Sequence, residues 1–119
     1  MVTNDPVESN PGLYKVLWEN EFVRVLEYRD DPGTKSALHN HPDSVMITLS
    51  TFRRKLSVGD RIFETELPAG RALWLPAQRH AGENIGDSDT HAIFVELKQG
   101  HQDPEGQALG PGPVSNTAD

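Results

Sequence analysis

Between Tyr14 and Lys98 the chain breaks into short runs of alternating apolar and polar residues, with glycine- and proline-bearing turns between them. No segment sustains the three-to-four-residue apolar period of a helix, whereas alternation at a period of two marks a strand with one face buried. Many short strands with turn signals every eight to twelve residues point to an all-β, antiparallel sandwich or barrel. At 119 residues the chain has room for one such domain and one core.

The runs can be placed in order. Tyr14 to Trp18 and Phe22 to Tyr28 read as a hairpin, with Phe22, Leu26 and Tyr28 on one face and Val23, Val25 and Glu27 on the other. Asp30-Asp31-Pro32-Gly33 is a turn by its chemistry, since proline presets φ and glycine accepts positive φ. Ala37 to His41 and Val45 to Ser50 are strands separated by Pro42-Asp43-Ser44. Lys55 to Val58 and Arg61 to Glu66, joined by Gly59-Asp60, give the clearest hairpin signal. Ala72 to Leu75, His80 to Ile85 and Thr90 to Lys98 follow. The domain therefore spans 13–98, after a loose polar arm over 1–12 and before a Gly- and Pro-rich tail over 99–119 that reads as disordered.

Charge and composition narrow the function. The net charge is −7, and the longest basic run is Arg53-Arg54-Lys55, so nucleic acid and anionic membranes are poor partners. Without cysteine the chain has no disulfide, thiolate ligand or thiol nucleophile. Met1 to Gly12 lacks the apolar core of a secretory leader, and no run approaches the ~20 apolar residues of a membrane span. These features lead us to expect a soluble, cytoplasmic protein.

His39 and His41 lie two residues apart, so on a strand both rings project from one face. Neutral imidazole is the commonest protein ligand for zinc, iron, nickel and copper. His80, from a distant strand, is the candidate third ligand, and Asn84 points to the same side.

The stretches around these residues resemble the two motifs of the cupin superfamily. The first motif has Gly, five residues, His-x-His, three or four residues, Glu, then six residues and Gly. The second has Gly, five residues, Pro-x-Gly, two residues, His, three residues, Asn. Gly33, His39 and His41 match the first, and Gly70, Pro76, His80 and Asn84 match the second, within a resemblance covering 16–98. Three departures stand out: the metal-binding Glu falls at Val45 or Met46, the closing Gly falls at Phe52 or Arg53, and Gln78 stands where Gly is usual in a segment one residue short. The resemblance implies an antiparallel double-stranded β-helix (the cupin or jelly-roll barrel), a homodimer, and a divalent metal on His39, His41 and His80. Cupins with three histidines and no metal-binding Glu include β-diketone-cleaving dioxygenases, which use non-haem Fe(II). This chain looks most like that class, and Arg54 is the candidate for orienting the substrate. Two alternatives stay open. One is a non-catalytic binding cupin with a structural metal; the other is an O₂-independent isomerase, hydrolase or lyase using Zn, Ni or Mn.

Other polar residues have plainer readings. His91 opens the last strand as a surface or structural histidine, with a fourth ligand as the alternative; His101 lies in the tail. Glu83 has the wrong parity to replace the missing carboxylate, and Asp43 and Arg71 read as turn and surface groups. Val45, Ile47, Leu49, Met46 and Trp74 are the expected pocket walls, while Trp18 and Trp74 read as core or interface anchors.

Overall fold

The computed structural model describes residues 5–98. Alternation at period two builds nine strands: β1 (Tyr14–Glu19), β2 (Val23–Asp30), β3 (His39–His41), β4 (Ser44–Thr48), β5 (Phe52–Val58), β6 (Arg61–Leu67), β7 (Ala72–Leu75), β8 (Gln78–Asn84) and β9 (Thr90–Leu97). They form two antiparallel sheets, one in the order β1-β2-β9-β4-β7 and the other β3-β8-β5-β6. The expected strand order along the chain holds. The strand expected to begin at Ala37 is shorter, and the one expected at His80 starts two residues earlier, at Gln78.

Residues 5–12 depart from the expected loose arm. Pro6–Ser9 is a single helical turn, α1, capped by the Asp5 carboxylate accepting from the Val7 amide. Arg24 clamps that carboxylate at 2.7 Å. Asn10 is buried, its side-chain oxygen accepting from the Ala37 amide at 2.8 Å. The segment therefore packs against β1 and β3. The tail expected over 99–119 lies outside the described residues.

Leu26 and Tyr28 of β2, Met46 of β4, Phe52 of β5 and Ala92 and Phe94 of β9 turn inward with Tyr14 to form the apolar core. Among the expected pocket walls only Met46 is in this set. Val45 and Ile47 have the opposite parity, and Trp74 is exposed between the inward-facing Leu73 and Leu75. The phase of β4 and β7 decided this, because a strand flanked by two apolar sets does not announce which set faces in.

Much of the interior is polar. His39, His41, Ser44, Thr48, Arg54, His80, Asn84, Thr90 and Glu96 are all buried. Buried polar groups are tolerated when paired. Thr48 bonds the Pro68 carbonyl and the Arg71 amide, and the Ser44 hydroxyl has no partner among the described residues. The other seven form two networks, one at each side of the Tyr14–Tyr28 ring contact, whose centroids are 4.7 Å apart.

Candidate metal centre

Strand register places the three imidazoles. β3 pairs with β8 so that His39 lies opposite His80 and His41 opposite Gln78. Directly opposed residues have Cβ atoms about 5 Å apart, and the ring centroids of His39 and His80 are 4.8 Å apart. The His41 ring is 4.8 Å from His39 and 5.1 Å from His80, and it stacks on Phe94 at 5.0 Å. One ring nitrogen from each histidine lies within 4.8 Å of the others. Gly33 and Gly70, which open the two motifs, both sit at positive φ (88° and 87°), where a side chain would be strained.

Each imidazole is oriented through Nδ1. His39 Nδ1 donates to the Ala37 carbonyl at 2.6 Å, His41 Nδ1 to Glu96 Oε2 at 2.8 Å, and His80 Nδ1 to Gln78 Oε1 at 2.7 Å. With Nδ1 protonated, a neutral ring carries its lone pair on Nε2. Three Nε2 lone pairs thus belong to one cluster. The Tyr14 hydroxyl is 3.2 Å from His39 Nε2 and 3.1 Å from His41 Nε2, yet has only one proton to share between those two acceptors. A cation accepting the lone pairs resolves the mismatch, so the donor set fits a divalent metal.

Burial and electrostatics keep the His39 and His80 rings neutral. Burial, reinforced by His41, His39 and Arg54, pushes His80 down from 6.5 to about 3. Burial lowers His39 as well, while burial raises Tyr14 well above its ordinary value. In the unfolded chain His39 and His80 titrate near 6.5, so between there and about 3, the value for folded His80, the unfolded state binds more protons. The stability contributed by these buried neutral rings is therefore present above about pH 6.5 and lost progressively as pH falls toward 3. The urea midpoint of the chelator-treated protein should drop between pH 7.5 and 5, less steeply in His80→Gln. Equal slopes for the two proteins would contradict this assignment.

Glu96 was not singled out by the sequence, although a signal existed: it shares the inward phase of Thr90, Ala92 and Phe94 on β9. It is buried and accepts from both His41 and Arg24, the latter at 2.8 Å. Gln78, noted only as a departure from a glycine, orients His80 from two residues away on the same strand face. Partners of this kind typically contribute a factor of about 10–100 in metal affinity. Glu96→Gln should weaken metal binding by about that factor in a competition titration with a chromophoric chelator.

The second network surrounds Arg54. Its Nη1 donates to Asp30 Oδ2 at 2.7 Å and Thr90 Oγ1 at 2.9 Å, and Nη2 donates to the Tyr28 hydroxyl at 3.2 Å. Tyr28 donates to Asp30, and the Asn84 amide donates to Asp30 Oδ1 at 3.0 Å. Asn84 faces inward as expected but serves this network. A Cβ at Gly82 would stand 2.9 Å from Arg54 Nη2, so a side chain there would collide with the guanidinium.

Between the networks lies a cavity of about 270 Å³ whose lining includes His39, His80, Arg54, Met46, Phe63 and Leu75. His91 stays outside the cluster, where its Nε2 donates to Glu27 at 2.7 Å. Glu83 lies 4.0 Å from Lys55, and Asp43 accepts from the Ala77 amide.

Fold and cluster together define a small cupin-type barrel whose three histidines could hold a divalent metal. Solved structures bear out the fold. A cupin domain from Bordetella pertussis superposes with a TM-score of 0.68 at 24% identity, covering 82% of this chain and 98% of that one. A double-stranded β-helix domain protein from Klebsiella pneumoniae gives 0.58 at 24% identity (76% and 80% covered). An RmlC-like cupin family protein from Methanocaldococcus jannaschii gives 0.59 at 15% identity (71% and 78% covered). The chain has the cupin double-stranded β-helix fold. No family model and no curated protein matches the sequence. No described helix is long and apolar enough to cross a membrane.

Proposed function

We propose that this chain is a metal-dependent enzyme acting on a small, enolisable, largely apolar carbonyl compound, with non-haem Fe(II) and O₂-dependent cleavage of a β-dicarbonyl as the specific reading. The observation that carries it is the convergence of three imidazoles, without a carboxylate ligand, on one side of a mostly apolar cavity of about 270 Å³. His39, His41 and His80 would hold the ion, which would supply Lewis acidity to the substrate oxygens and, as iron, redox chemistry toward O₂. The chain's own groups do the rest. Ala37, Glu96 and Gln78 fix the ring orientations, Met46, Phe63 and Leu75 exclude water, and Arg54 offers the guanidinium N–H groups outside its three named bonds to an anionic substrate oxygen.

The test is O₂ uptake by iron-loaded protein supplied with small β-diketones. Uptake that scales with substrate and vanishes in His80→Ala supports this reading; none with any diketone removes it. A second reading, an O₂-independent isomerase or lyase, is favoured by the Tyr14 hydroxyl standing close to two of the imidazoles. Turnover that persists anaerobically selects it.

A further inference from the structure

We infer that the Tyr14 hydroxyl oxygen is the fourth protein donor to the metal, taking the place of the carboxylate that β4 does not supply. This rests on the metal reading above and deepens it. Two donors about 2.1 Å from one ion and at right angles stand about 3.0 Å apart. Tyr14 Oη stands 3.2 Å from His39 Nε2 and 3.1 Å from His41 Nε2, which is the separation of neighbouring ligands. A carboxylate at position 45 or 46 is absent, and Met46 instead faces the cavity with a thioether. An oxygen donor then returns to the cluster from β1, on the other sheet.

The tyrosine is held for this placement. Its backbone is fixed by the Tyr14–Tyr28 register of β1 and β2, and its ring packs against Tyr28 at 4.7 Å and Phe94 at 6.0 Å. The phenol proton leaves to solvent when the oxygen ligates, and the bound phenolate offsets one positive charge of the ion, as a carboxylate would. Four protein donors leave two positions at a six-coordinate ion, enough for one bidentate oxygen ligand. O₂ would then have to displace Tyr14 or one substrate oxygen.

Loading the full-length protein with Fe(III) tests this. Phenolate bound to Fe(III) gives a visible charge-transfer absorption and resonance-enhanced ring vibrations. Both should appear in the wild type, disappear in Tyr14→Phe and persist in Tyr28→Phe, the chain having only these two tyrosines. Iron bound at one per chain without the band overturns the Tyr14 assignment and leaves the metal reading standing. No bound iron removes both. Should Tyr14→Phe not fold, ring-deuterated tyrosine in wild type and Tyr28→Phe decides the matter by the shift of the Raman bands.

Discussion

Replacing both His39 and His41 by alanine should take metal content from about one ion per chain to none, measured by elemental analysis of protein purified without chelators. The effect is expected to be all-or-none because the two side chains supply two of the three imidazole donors. They lie on one strand whose backbone neither change disturbs. The variant also removes the acceptors that face Tyr14 Oη and the Nδ1–H that faces Glu96. Glu96 keeps Arg24, so it is not left as an uncompensated buried charge and the barrel should still fold. Retention of metal by the double variant would place the ion elsewhere. The metal found also matters: iron directs attention to O₂-dependent assays, zinc or nickel to anaerobic ones.

Asp30→Ala should be the most destabilising single change at the other network, by about 3–5 kcal/mol, because it leaves the Arg54 guanidinium buried without its counter-charge. The side chains of Arg54 and Asp30 are 10% and 0% exposed, so solvent cannot substitute for the lost partner. Asp30 also accepts from Tyr28 and Asn84, and both donors would lose that bond. Denaturant unfolding of metal-free protein measures the loss. Replacing the pair together, Asp30→Leu with Arg54→Met, should recover most of it, since a buried ion pair rarely outperforms apolar residues of similar volume. If the double variant regains stability but binds no substrate, Arg54 has its positioning role. If it regains both, the network is structural only.

How much of this could be read from the sequence varies by residue. His39-x-His41 announced its shared face through strand parity alone, the parity that set Glu83 apart from the cluster held, and His91 is the structural histidine that its place at a strand end suggested. His80 was found by resemblance to a motif; that it sits opposite His39 is a matter of β3–β8 register, which a seven-residue strand and a three-residue strand do not declare. Glu96 was legible as a carboxylate on the apolar phase of β9 and was passed over. Tyr14 was not legible at all. An aromatic residue opening a strand reads as core, and only the pairing of β1 with β2 carries its hydroxyl to the histidines. Arg54 was noticed as a cation near a pocket, but its partner Asp30 looked like part of a turn.

The sequence by itself determined what depends on local chemistry: alternation at period two, turns fixed by proline and glycine, and hence an antiparallel barrel with two imidazoles on one strand face. Tertiary structure decided which apolar set of β4 and β7 faces inward. It also decided that an acidic side chain and a phenol from the opposite sheet complete the histidine cluster, and that two tryptophans stay on the outside. These outcomes turn on register and on a bulge between Val16 and Trp18. A shift of one residue there reverses every face while leaving the local pattern unchanged.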